Sequence, residues 1–180
     1  IKPRDIMTMK AFENAIAVDM SIGGSSNTVL HLTAIAYEAG LELPLSLFDS
    51  IAAKTPYLTK MSPSGNHHLE DLNEAGGINA VMKELSKLGL IHTEALTVTG
   101  TIADRIQFAP IQRPDVIKSV EAPYRKTGGL AVLRGNLAPD GAVIKESAVA
   151  EDMLVFEGRA RVFDSEDAAI EAITDKQIVD

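Results

Sequence analysis

The chain contains no cysteine. That excludes disulfides, a thiolate nucleophile and a cysteine-ligated metal cluster within it. Basic residues are also in the minority, 17 Lys and Arg against 25 Asp and Glu, for a formal charge of -8. They are scattered, with no run longer than the pair Arg125-Lys126. Phosphate binding needs a net basic face, so a nucleic-acid partner is not expected. Long apolar runs are missing as well. The longest nearly uncharged stretch, around Ala34 to Tyr37, is too short to cross a bilayer, and no signal-peptide pattern is present. A cytoplasmic protein with no membrane partner is expected. The chain opens on Ile1-Lys2-Pro3-Arg4 rather than on Met, which suggests a piece of a longer polypeptide.

What remains is ordinary globular material. The 180 residues are 46% hydrophobic and 23% charged, enough to bury a core in one domain or two small ones. Texture changes along the chain. Apolar spacing is helical from about Ile6 to Gln107 and strand-like from about Gly128 onward.

Met9, Phe12, Ile16 and Met20 recur every three or four residues and predict a helix, ended by Gly23-Gly24. Ser25 or Ser26 can cap the next helix, which carries Val29, Leu30, Ala34 and Ile35 and stops at Gly40. That helix is apolar nearly all round apart from His31 and Glu38, so burial is expected. A short helix from Leu47 to Lys54 follows, then a loop over Met61 to His68. Another helical stretch runs from Leu69 to Leu88, interrupted by Gly76-Gly77 and stopped at Gly89, with Ile78, Val81, Met82 and Leu85 facing the core. Thr99 or Thr101 can cap one more short helix ending near Gln107. Pro110, Pro114 and Pro123 break the segment 109–127, which reads as a connection between domains. Four strands are predicted beyond it, at Leu130–Leu133, Ala142–Ile144, Leu154–Phe156 and Ala160–Phe163, before a helix opened by Ser165-Glu166.

The most informative local feature is Gly23-Gly24-Ser25-Ser26-Asn27-Thr28. Glycines before a helix start let the backbone approach a ligand closely, and free N–H groups there attract anions. The side chains add donors for a carboxylate or hydroxyl, so Gly24, Ser25, Ser26 and Asn27 are candidate substrate-binding residues. An ordinary glycine turn with serine capping explains the same string. No Gly-Lys-Ser/Thr ending follows, unlike a phosphate-binding P-loop. Gly128-Gly129 is a second candidate for close approach, either to a ligand or between packed strands. His67, His68, Glu70 and Asp71 are metal-ligand types close together, yet their spacing matches no zinc signature, and capping carboxylates account for them. His31, within an apolar helix, reads as a hydrogen-bonded core histidine. His92 follows a helix exit and carries no assignment. No triad geometry can be read from the serines, histidines and aspartates present.

Several strings, taken in order, resemble one family. They are Ala11-Phe12-Glu13-Asn14-Ala15, then Gly23 through Leu32, then Glu70-Asp71-Leu72 with Ala75-Gly76-Gly77. Gly128 through Ala138 and Gly158 through Ser165 continue the series. Together they are similar to the dihydroxy-acid dehydratase and phosphogluconate dehydratase family, over nearly the whole chain. Val29-Leu30-His31-Leu32 and His68-Leu69-Glu70-Asp71-Leu72 look most like the dihydroxy-acid branch, although Ser26 stands where threonine is more usual.

The resemblance implies a mixed α/β fold. Residues 1–108 would be the helical end of an N-terminal α/β domain, 109–127 an interdomain connection, and 128–180 the start of a β-rich, barrel-like C-terminal domain. It implies a hydro-lyase acting on a small dihydroxy acid, a homo-oligomer, with an iron–sulfur cluster and Mg²⁺. It places the cluster cysteines, the metal ligands and the serine base outside these residues. No catalytic residue, no metal ligand and no bound cofactor are therefore expected here. The competing readings are a phosphogluconate or sugar-acid dehydratase, a non-catalytic module binding a small carboxylate or a protein, and an unrelated enzyme using His67, His68 and Glu70.

Overall fold

The computed structural model describes residues 1–178 and divides the chain into two compact units, Ile1–Val149 and Ala150–Asp180. The first is helical. Its elements are α1 (Pro3–Ile6), α2 (Met9–Ser21), α3 (Ser26–Ala39), α4 (Leu45–Ala52), α5 (Leu69–Glu74), α6 (Gly77–Ser86) and α7 (Ile102–Ile106). Two small antiparallel ribbons accompany them. One joins β1 (Leu96–Thr97) to β2 (Gly100–Thr101), and the other joins β3 (Ala131–Leu133) to β4 (Ala142–Ile144), with Val132 opposite Val143. The mixed α/β class is borne out.

Of the caps, Thr101 and Gly40 are where sequence chemistry put them, while Thr8 carries no expectation from the sequence. Thr8 opens α2 by accepting the Ala11 N–H, and Thr101 opens α7 by accepting the Asp104 N–H. Gly40 closes α3 in the left-handed conformation, with φ +81°. Gly76 and Gly77 divide the Leu69–Leu88 stretch with φ values of +117° and +67°, a region that costs other residues about 1 kcal/mol or more. The fourth helix starts earlier than expected, at Leu45 after Pro44, because a proline at the helix entry has no N–H to leave unpaired.

The core is continuous from α2 to the chain beyond α7. Phe12, Ile16 and Met20 of α2 meet Phe48, Leu58, Val81 and Leu85. Val116 and Ile117, in the proline-broken segment, are fully buried in the same core. Ile78 is an exception on α6, half-exposed although it falls on the predicted core face.

The largest departure is α3. Apolar composition predicted burial, but Leu30 is 68% and Tyr37 78% exposed, and Ile35 is exposed too. Only Val29 and Ala36 of this helix are buried. His31 is therefore on the surface, not in a core. Composition records which faces can be buried; it does not say whether the residues that would cover them are present.

The second unit differs from expectation as well. Leu154–Phe156 and Ala160–Phe163 form no strands among the described residues. They run as irregular chain after a single 3₁₀ turn, Glu151–Met153. Their side chains are largely exposed, and no neighbouring strand pairs with their backbone. A strand needs a ladder partner, whatever its alternation. Helix α8 (Glu166–Thr174) does form, opened by the Ser165 hydroxyl accepting the Ala168 N–H. A barrel-like domain is not visible in these residues.

Candidate functional site

The turn between α2 and α3 is organised around Asp19. Gly23 and Gly24 adopt φ values of +111° and +71°, which reverse the chain after α2 at little cost only because they lack Cβ atoms. The Gly24 N–H donates to the Asp19 carbonyl at 2.8 Å. The Asp19 carboxylate then reaches into the turn: Oδ2 accepts the Ser25 N–H at 3.3 Å and Oδ1 accepts the Thr28 hydroxyl at 2.8 Å. Ser25 occupies the N-cap of α3 but makes no side-chain cap bond. Ser26 and Asn27 are exposed, while Gly23 and Gly24 are buried. Burial pushes the Asp19 carboxyl above the usual aspartate range, against the opposing pull of its bonds to Thr28 and Ser25.

The second glycine pair packs against the first. The Gly128 N–H donates to the Ala52 carbonyl at 2.8 Å and the Gly129 N–H to the Met20 carbonyl at 3.0 Å. A Cβ on Gly129 would collide with the Gly23 carbonyl, and one on Gly24 would sit 2.5 Å from Leu130 Cγ. Ser147 completes the junction, its hydroxyl donating to the Gly23 carbonyl at 2.7 Å and its N–H to the Gly129 carbonyl at 3.0 Å. Each pair was legible in the sequence as a place of close approach. That each approaches the other was not, since the partners are about a hundred residues apart. The inner side of the turn is filled by protein, and its outer side, with Ser26 and Asn27, faces solvent.

A cavity of about 620 Å³ adjoins this region, walled by Ile6, Met7, Val18, Ile22 and Met82. Asp19 and Thr28 are among its few polar lining residues.

Of the remaining candidates, Asp71 has a structural role. Asp71 caps α5 by accepting the His68 N–H at 2.8 Å and pairs with Arg113 Nη1 at 3.1 Å. These contacts, the His68 bond first, hold its carboxyl below the ordinary aspartate range. No group of three or more His, Cys, Asp or Glu among the described residues is arranged to hold a metal ion. With no thiolates in the sequence, these residues do not fit an iron–sulfur cluster. His92, unassigned from sequence, joins two segments: its Nε2 lies 2.5 Å from Glu13 Oε2. The Asn14 side chain clamps the His92 backbone, donating to its carbonyl at 3.1 Å and accepting its N–H at 2.7 Å. Nothing local in the sequence signals a contact made across 78 residues.

Comparison with known proteins bears directly on these residues. Residues 1–105 match the family described as dihydroxy-acid/6-phosphogluconate dehydratase N-terminal, and residues 115–180 match its C-terminal counterpart. Among curated proteins, the chain is similar to a dihydroxy-acid dehydratase of Acetivibrio thermocellus, 60% identical over 99% of this chain and 32% of that protein. It is also similar to proteins of the same name from Ruminiclostridium cellulolyticum and Moorella thermoacetica. These are 55% and 57% identical, each over 99% of this chain and 32% of the relative. The chain thus spans about a third of the length of the curated relatives it matches.

Proposed function

Because the chain belongs to the dihydroxy-acid/6-phosphogluconate dehydratase family, we propose that it serves as an internal segment of a hydro-lyase of branched-chain amino-acid biosynthesis. The substrate is a 2,3-dihydroxy carboxylic acid. Loss of the 3-hydroxyl and of the proton α to the carboxylate gives an enol, which tautomerises to the 2-keto acid. The observation that carries this reading is 60% identity, over 99% of the chain, to a protein named dihydroxy-acid dehydratase. The names of the most similar relatives favour the dihydroxy-acid branch over the phosphogluconate branch.

The role of this chain in that reaction is binding, not bond breaking. Gly24, Ser25, Ser26 and Asn27 contribute to the substrate site: the α3 N-terminus and the exposed side chains of Ser26 and Asn27 attract the substrate's carboxylate or hydroxyls. Glycine at position 24 sets the path of the turn. The iron–sulfur cluster and Mg²⁺ are held by residues of the longer protein outside this chain, as are the acid and base groups. The junction between the two halves of the enzyme falls in 109–127, after the helical segment 1–108 and before 128–180. The longer protein is a cytoplasmic homo-oligomer with no nucleic-acid or membrane partner. No helix among the described residues is long and apolar enough to cross a membrane.

The test is dehydration of 2,3-dihydroxyisovalerate after anaerobic iron–sulfur reconstitution with Mg²⁺, run on this chain and on the longer protein side by side. Turnover by the longer protein and none by the chain is expected. Turnover by the chain alone would contradict the placement of the reacting groups and return attention to His67, His68 and Glu70.

A further inference from the structure

Asp19 is badly placed for its own helix. It lies in the last turn of α2, where the helix dipole disfavours negative charge, and it is half-buried. No salt bridge compensates it among the described residues, Lys145 acting only at a distance. Both of its side-chain bonds go forward into the next element, to the Ser25 N–H and the Thr28 hydroxyl. The carboxylate thus sits at the positive end of α3, where it accepts the N–H of the N-cap residue Ser25 and ties down the Thr28 hydroxyl of the first turn. A half-buried charge that is costly to its own helix and whose side chain bonds only to the following turn is explained by what it does for that turn.

We infer that Asp19 is a positioning residue for the substrate-binding turn: by bracing Ser25 and Thr28 from behind, it fixes the outward presentation of Ser26 and Asn27. This rests on the substrate-binding role proposed for the turn. The Ser25 side chain makes no cap bond and the Ser26 and Asn27 side chains are exposed, so all three remain available to a carboxylate or hydroxyl. Removing the brace leaves these donors in place but lets them sample other directions. The loss falls on binding rather than on the chemical step.

The experiment is steady-state kinetics on the longer protein with 2,3-dihydroxyisovalerate, for Asp19→Ala, Asp19→Asn and Asn27→Ala, alongside thermal melts. Asp19→Ala is expected to raise KM about tenfold with kcat changed less than about twofold. Asp19→Asn, which keeps an acceptor for the Ser25 N–H and a partner for Thr28, recovers most of that loss. Asn27→Ala raises KM on its own. An unmoved KM in Asp19→Ala beside a raised one in Asn27→Ala overturns the Asp19 assignment alone. An unmoved KM in both overturns the turn reading, and the Asp19 assignment with it. A lowered melting temperature with unchanged KM makes Asp19 a purely structural residue and overturns the assignment. Should Asp19→Ala not fold, Thr28→Val removes only one of the two bonds and is expected to raise KM about threefold; an unmoved KM there is equally contradictory.

Discussion

Gly129 lies against the Gly23 carbonyl with no room for a side chain, and its N–H is held by Met20. Gly129→Ala must therefore separate the turn from β3 or bend one of them. A loss of about 3 kcal/mol is expected, readable as a lower urea midpoint. At Asn14, buried and bonded at both ends to the His92 backbone, truncation leaves the part-buried His92 N–H unpaired and removes one of the two donors to its carbonyl, the other being the Ala95 N–H. Asn14→Ala is expected to cost about 2 kcal/mol by the same measurement, and Asn14→Asp less, since it keeps the acceptor for the His92 N–H. These two positions differ in how much the sequence disclosed. Gly128-Gly129 marked a place of close approach, because glycines before an apolar run leave room for one. Asn14 did not, because an asparagine in a helix carries no local mark of a distant backbone partner. Asp19 was missed for a related reason. Its bonds reach only six and nine residues ahead, but the glycine turn that makes them possible has to be built before they can be seen.

At the scale of elements, the sequence was most informative where one residue decides the outcome. Thr101 as a cap, Gly40 and Gly89 as stops and the break at Gly76-Gly77 all follow from local chemistry. It was least informative where a neighbour decides. The runs Leu154–Phe156 and Ala160–Phe163 have strand composition and no strand partner. The α5 cap gives a pH prediction at this scale. The Asp71 carboxyl is held below its ordinary value of 3.8 by the His68 N–H and by Arg113. A carboxyl whose folded pKa is depressed stabilises fully above its unfolded value and loses that contribution as pH falls through the folded one. Thermal stability is therefore expected to drop as pH is lowered below about 3.8. Asp71→Asn should flatten that region of the melting-temperature profile. A variant with the same acid slope as the parent chain would show that Asp71 does not contribute to it.

At the scale of the molecule, the apolar surface of α3 stands out. Leu30, Ile35 and Tyr37 lie exposed on one helix, next to the proposed binding turn. Water-exposed apolar area of this kind drives association. The isolated chain is expected to self-associate, and Leu30→Glu with Tyr37→Glu to reduce that association, both read by light scattering. A clean monomer at high concentration would contradict this.

The central claim is that these residues belong to a dihydroxy-acid dehydratase and supply some of its substrate-binding turn. The most direct measurement is the KM for 2,3-dihydroxyisovalerate of the longer protein carrying Ser26→Ala and Asn27→Ala together. Both side chains are exposed, so the substitutions should leave the melting temperature nearly unchanged. A KM raised tenfold or more, about 1.4 kcal/mol of lost binding, is the predicted result. A KM equal to that of the parent protein would contradict the account and leave the turn as a packing device between α2, α3 and β3.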